Sequence, residues 1–254
     1  MLFDSHCHLD FSEFDIDRDE VVSNCQQSGL TGIIVPGVSR DSWDNLLEVC
    51  QRYPLAHAAL GMHPYFLARH SLSDLDILQD YIVQHNPVAI GEIGLDYAMP
   101  ELGREEQRLF FESQLKLAKL TNLPVIVHAR KSHADVLEAI KRSGVRSGVI
   151  HAYSGSEQQA IEYTRLGLKL GFGGAMTWAR STRLRSLASN LPLESVVLET
   201  DSPEMPPEGR QGTRNSPEYL PEIFELFCSL RYESKEEIAT QLMRNVNKVF
   251  CLPI

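Results

Sequence analysis

Eight short apolar runs, each followed by a stretch of helical length, set the tightest limit on how this chain can fold. The runs are Leu2 to Cys7, Gly32 to Val35, Ala56 to Leu60, Val88 to Ile93, Pro124 to Val127, Gly148 to Ile150, Leu168 to Leu170 and Val196 to Leu198. Runs this short and this apolar suit strands covered on both faces, as parallel strands are. Between them lie amphipathic segments. Leu109 to Leu120 carries Phe111, Leu115 and Ala118 in helical register beside Phe110 and Leu117, another spans Leu137 to Ile140, and a C-terminal helix is predicted over Lys235 to Asn245. Turn signals such as Ser28-Gly29, Pro36-Gly37 and Ser143-Gly144 mark the joins. The alternation predicts an α/β fold, a (β/α)8 TIM barrel, and 254 residues suit a single domain over 1–254. A doubly wound open sheet would favour a glycine-rich phosphate turn after the first strand, where His6-Cys7-His8 stands instead.

Composition narrows the setting. No apolar run reaches the roughly 18 residues needed to cross a bilayer, so no membrane association is expected. The start, Met1 to His6, lacks the basic and apolar regions of a signal peptide. Five cysteines, an odd number, are scattered without CxxC spacing, which suits free thiols in a reducing compartment; the cytoplasm is the expected location. A formal charge of −10 argues mildly against non-specific binding of long nucleic acid, although acidic groups inside a metal site would be offset by bound cations.

In a barrel, chemistry collects where strands end and the following loops begin. In Asp4-Ser5-His6-Cys7-His8 the alternation of side chains puts Asp4, His6 and His8 on the interior face and turns Ser5 and Cys7 toward the helices. Glu92 ends the strand begun by Val88-Ala89-Ile90, within Gly91 to Tyr97. His128 and His151 finish the fifth and sixth, and Asp201 stands just past the eighth. Each has a bland reading: satisfied core histidines, a loop acid between turn glycines, or an aspartate opening a turn before Pro203. Together they would make a crowded, unpaired polar core, which is costly, whereas a metal centre accounts for all of them.

These segments carry a family resemblance. DSHCHLD (4–10), GMHP (61–64), GEIGLDY (91–97), LPVIVHAR (123–130), VIHAYSGS (149–156) and LETDSP (198–203) occur in the order found in TatD-like metal-dependent deoxyribonucleases of the amidohydrolase superfamily, almost from end to end. The resemblance implies a binuclear site in which His6, His8 and Asp201 hold one divalent ion, His128 and His151 hold the other, and Glu92 bridges them. It places His63 close to substrate. Three positions depart from the common pattern: Lys131 where an acid is frequent, VIHAYSG for VIHCFSG, and an insertion-like stretch from Pro206 to Arg214. None falls on an expected ligand, so they bear on substrate preference.

Two cations roughly 3.5–4 Å apart would activate a shared, bridging hydroxide for in-line attack on a phosphodiester, with Asp201 passing on its proton. Asp201, Glu92 and His63 are therefore the expected catalytic residues, and His63, Arg130 and Tyr153 the expected substrate contacts. Arg130 could equally pair with a loop acid. His57 reads as a core histidine; His70, His85 and His133 read as loop or helix-surface residues. Four imidazoles favour zinc or manganese as the tightest ions, with magnesium able to support turnover. The expected partner is nucleic acid, DNA presented as a single strand or a 3′ end. Arg180, Arg183, Arg185, Arg210 and Arg214 are expected to ring the mouth as a basic patch, with a solvated helix face as the alternative. The rival functions are a small-molecule amidohydrolase or lactonase using the same metals and, less favoured, a non-catalytic metal-binding scaffold.

Overall fold

The computed structural model describes residues 1–99, 101 and 103–252. Eight strands alternate with helices along the chain. They are β1 (Leu2–Asp4), β2 (Leu30–Pro36), β3 (Ala56–Leu60), β4 (Ala89–Asp96), β5 (Val125–Arg130), β6 (Gly148–Ile150), β7 (Leu168–Phe172) and β8 (Val196–Leu198). Each hydrogen-bonds in parallel to the next, in the order β1 to β8. Seven helices fill the gaps: α1 (Arg18–Gln27), α2 (Trp43–Arg52), α3 (Asp74–His85), α4 (Arg104–Thr121), α5 (His133–Ser143), α6 (Glu157–Arg165) and α7 (Thr182–Asn190). Two more, α8 (Leu220–Ser229) and α9 (Lys235–Phe250), follow β8. The architecture is the single-domain (β/α)8 barrel that the alternation predicts.

Closure of the ring uses backbone beyond the regular strands. Ser5 N donates to Leu198 O (3.0 Å), Asp201 N to His6 O (2.9 Å) and His8 N to Ser202 O (2.8 Å), so the segments after β1 and β8 run side by side. Asp4 reinforces the seam from the helix side, beside Thr200, Cys7 and Cys25. Its carboxylate accepts from Thr200 N (3.0 Å), Thr200 Oγ1 (2.6 Å) and its own neighbour His6 N (3.1 Å). The Ser5 hydroxyl turns to Glu199, so the expected alternation holds for His6, Cys7 and His8 but not for Asp4 and Ser5.

Two apolar layers follow from the period-2 alternation of strand side chains. One lies between strands and helices, and Cys7 is in it, as expected. The buried face of α4 there includes Phe110, Phe111, Leu115, Leu117 and Ala118, while Leu109 and Leu120, the bounds read from sequence, are exposed. The second layer fills the barrel itself. Phe3, Ile34, Ala59, Ile126, Val149 and Val197 cluster with Met243, Val246, Val249 and Phe250 of α9, which plugs the N-terminal end. A capping box starts α9: Ser234 Oγ accepts from Glu237 N, and the Glu237 carboxylate accepts from Ser234 N. The helix runs one turn beyond the predicted Asn245, because Val249 and Phe250 belong to the plug. Among the described residues, no helix is long and apolar enough to cross a membrane.

His133 corrects one reading of the sequence. It opens α5 not on the surface but buried against Tyr153 and Tyr163, with Nδ1 3.2 Å from the Tyr163 hydroxyl and Nε2 without a partner. Burial, with Arg183 nearby, lowers its pKa from 6.5 to about 4. A histidine depressed in the folded state leaves stability intact above pH 6.5 and removes it as pH falls toward 4, because only the unfolded chain takes up the proton over that window. The loss amounts to about 3 kcal/mol. Urea unfolding at pH 7 and pH 4 should therefore show a smaller acid-induced loss in His133→Phe than in the parent; equal losses would refute the assignment.

Candidate metal centre

At the end of the barrel opposite α9, five imidazoles converge on one carboxylate. Glu92 sits inside β4, where the pairing with β5 slips between Ile90 and Ile93, and it is 3 % exposed. Its Oε2 lies 3.3 Å from His6 Nε2 and 3.7 Å from His8 Nε2. Its Oε1 lies 3.2 Å from His128 Nδ1, 3.4 Å from His63 Nε2 and 3.5 Å from His151 Nε2. Asp201 Oδ1 stands 3.5 Å from His6 Nε2 and 3.9 Å from His8 Nε2. Two groups thus have ligand atoms close enough to hold an ion, His6–His8–Glu92 and His63–Glu92–His128, and Glu92 belongs to both. A third group, His6–His151–Glu199, lies behind them.

What each ring can offer is fixed by its second nitrogen. His128 Nε2 is 2.9 Å from Asp96 Oδ2, and His151 Nδ1 is 3.2 Å from Glu199 Oε1. With those nitrogens turned toward carboxylates, the other nitrogen of each ring faces Glu92 and is the one a cation would bind in place of a proton. His63 is wired the other way. Its Nδ1 accepts from Tyr65 N (3.1 Å), so the neutral ring carries its proton on Nε2 and faces the centre as a donor. His128 and His151 are thus oriented to hold a cation, and His63 to donate a hydrogen bond.

Asp96 and Glu199 had no role in the sequence reading, yet the signal was present. Glu92, Gly94 and Asp96 share one face of β4 by parity, and Glu199 precedes Asp201 by the same spacing of two. Glycine makes room for both arrangements. A Cβ at Gly94 would overlap the His128 carbonyl oxygen, and one at Gly171 would overlap the Glu199 carboxylate.

The electrostatics favour cations. Burial opposes a charge on Glu92, but His63, His151 and His6 with the His128 hydrogen bond hold its carboxyl well below the usual range. Burial likewise opposes a charge on His151, yet Asp201, Glu92 and Glu199 raise it to about 10. His8 goes the other way, to about 3, through burial and its neighbour His6. Burial raises Asp201. A neutral His8, a firmly ionised Glu92 and a pocket that draws positive charge make a donor set of nitrogens and oxygens suited to divalent ions.

Above Glu92 a cleft of about 780 Å³ opens, lined in part by Phe11, His63, Tyr65, Phe66, Arg130, Asp201, Glu204 and Met205. Arg130 is half exposed; its Nη1 donates to the Tyr65 hydroxyl (2.9 Å) and stays 3.9 Å from Asp96, so it is only loosely tied to an acid. Tyr153 does not reach the cleft. It is 2 % exposed, and its hydroxyl donates to Ser156 O (2.5 Å) at the start of α6, so its polar atom is spent within the fold. The arginine ring is also thinner than expected. Arg185 donates to Met176 O and Thr177 O, Arg210 pairs with Glu222, and Arg214 pairs with Asp17. Arg183 donates to Ser154 O and Arg180 lies over Trp178, both exposed.

The chain is similar to known proteins over almost its whole length. The family model of TatD-related DNases matches residues 3–251. An uncharacterised metal-dependent hydrolase of Escherichia coli K12, YjjV, is 40% identical over 253 residues, covering 98% of each chain. Its crystal structure superposes with a TM-score of 0.96 over 99% of this chain and 98% of its own. A protein of Pantoea ananatis named as a 3′-5′ ssDNA/RNA exonuclease, TatD, is 31% identical over 269 residues, 99% of this chain and 100% of its own.

The carboxylates behind the rings generate a prediction. Asp96→Asn and Glu199→Gln should each weaken zinc or manganese binding about 10- to 100-fold by titration calorimetry. Unchanged affinity in both would show that these acids do not orient the histidines.

Proposed function

The chain belongs to the TatD family of metal-dependent hydrolases, and from that premise we propose that it is a phosphodiesterase that removes nucleotides from single-stranded DNA at an exposed 3′ end. The observation that carries this reading is that Glu92 stands between His6 and His8 at one oxygen and His128 and His151 at the other, on the floor of a cleft whose rim holds a half-exposed Arg130. The name of the Pantoea relative supports nucleic acid as the substrate. In this proposal His6, His8 and Asp201 hold one divalent ion, His128 and His151 hold the second, and Glu92 lies between them. Zinc or manganese binds most tightly, and magnesium supports turnover. The ions, when bound, supply Lewis acidity and neutralise charge at the scissile phosphate.

The protein's own groups do the rest. Arg130 offers a planar fork of donors to a phosphate oxygen, and His63 Nε2 adds a hydrogen bond from the cleft floor. Both act where charge develops on the phosphorane oxygens, so their contribution grows in the transition state. Asp201, at the lip of the centre, accepts a proton from the attacking water at its carboxylate. The walls hold the strand so that its last linkage lies over Glu92. Free thiols at all five cysteines accord with a cytoplasmic setting.

The test is metal removal and return. A chelated sample should lose cleavage of a single strand and regain it with manganese, zinc or magnesium, while His128→Ala stays at least 100-fold slower with any of them. Two ions per chain without any cut strand, but with hydrolysis of amides or lactones, would replace the nuclease with a small-molecule hydrolase. A chain that binds no metal would overturn the centre itself.

A further inference from the structure

The cleft is chemically lopsided. Loops after β1 and β3 contribute three aromatic rings, Phe11, Tyr65 and Phe66, none of them fully buried. Arg130, at the end of β5, is the only arginine or lysine among the lining residues and is joined to Tyr65 by hydrogen bond. The loop after β8 brings an exposed acid, Glu204, to the same rim.

Each phenylalanine is braced on one side. Phe11 stacks on His8, with centroids 4.5 Å apart and planes 19° apart, and the Arg69 guanidinium lies 5.2 Å over the ring of Phe66. The ring surface that faces the cleft is what remains. Unfilled aromatic surface beside a guanidinium is the chemistry of a nucleotide site: a base stacks on the ring while a phosphate meets the cation. Glu204 repels phosphate and so directs the backbone to the Arg130 side. The cleft also ends blind, because the barrel below Glu92 is filled by Ile34, Ile126, Val149 and Val197 against α9. A terminal nucleotide that enters the cleft therefore stops above Glu92.

We propose that Phe11, Tyr65 and Phe66 form a base-stacking subsite for the unpaired terminal base of the strand, with Arg130 on the adjoining phosphate. This rests on the nucleic-acid reading above and adds to it the groups that recognise the end. A paired terminal base leaves only its outer face open and is held in place by its partner strand, so a frayed or single-stranded end is what can turn a base in among the rings. Preference for single strands then comes from these side chains and not from the metals. Stacking tolerates every base, so little sequence preference accompanies it.

The test uses the metal-loaded protein and a single strand whose end linkages are phosphorothioates, which slows cutting, with the fluorescent base 2-aminopurine placed at the 3′ terminus or several nucleotides inward. Binding should quench the terminal probe and leave the inner one nearly unchanged. Phe66→Leu, which keeps apolar bulk without a π-face, should lose the quench and bind roughly fivefold to a hundredfold more weakly. Phe66→Trp should restore both, and matching thermal midpoints would show that the variants are folded. Quenching by Phe66→Leu equal to that of the parent, or equal quenching of the inner probe, overturns the subsite alone. A parent protein that neither binds nor cuts the strand overturns the nuclease reading and the subsite with it.

Discussion

A parallel barrel exists only if its last strand returns to its first, and here that seam positions the chemistry. β1 and β8 are each three residues long, too short to hold the ring by themselves. The backbone beyond them completes the ladder, and Asp4 pins Thr200 with two hydrogen bonds. The residues that follow these strands carry His6 and His8 on one side and Glu199 and Asp201 on the other. Closing the barrel and assembling half of the metal centre are therefore one event. Burial pushes the Asp4 carboxyl up to about 7, so the seam is held by a group whose removal from water is offset only by its three donors.

Around this seam the protein manages a concentration of charge that a core would not otherwise tolerate. Glu92 is buried among five imidazoles, and two further carboxylates stand behind the rings of His128 and His151. These outer acids do two things at once: they select a tautomer, and they make the inner nitrogen a stronger donor to a cation. His63 lacks such an acid and is set by the Tyr65 backbone instead, which leaves it a hydrogen-bond donor. Three chemically identical side chains, His63, His128 and His151, acquire different uses through what each second nitrogen touches.

The same logic explains what becomes of other polar residues near the mouth. Tyr153, Arg185, Arg210 and Arg214 lie near the mouth in the chain but spend their polar atoms on neighbouring loops and, for Arg210, on Glu222 of α8, which would otherwise have unpaired carbonyls or acids. His133 shows the reverse, a polar residue at a helix start that the fold covers. A local motif reports that a group is available at a strand end. It does not report whether another segment will claim it.

The sequence by itself determined the barrel and the convergence of its chemistry. The alternation of eight apolar runs with helical stretches leaves few ways to bury both faces of every strand, and functional groups at strand ends must gather on one rim. Hence His6, His8, Glu92, His128, His151 and Asp201 could be named as a set from position alone. Only the tertiary structure decided which nitrogen of each ring faces inward, that Asp96 and Glu199 stand behind two of them, that Phe11 joins Tyr65 and Phe66 on one wall, and which arginines stay free. Those outcomes depend on contacts between residues up to about 200 positions apart, such as Arg214 with Glu13 and Asp17, and on distances of a few ångströms. Periodicity encodes which face a residue takes, whereas the partner across a loop is set by the packing of the whole ring.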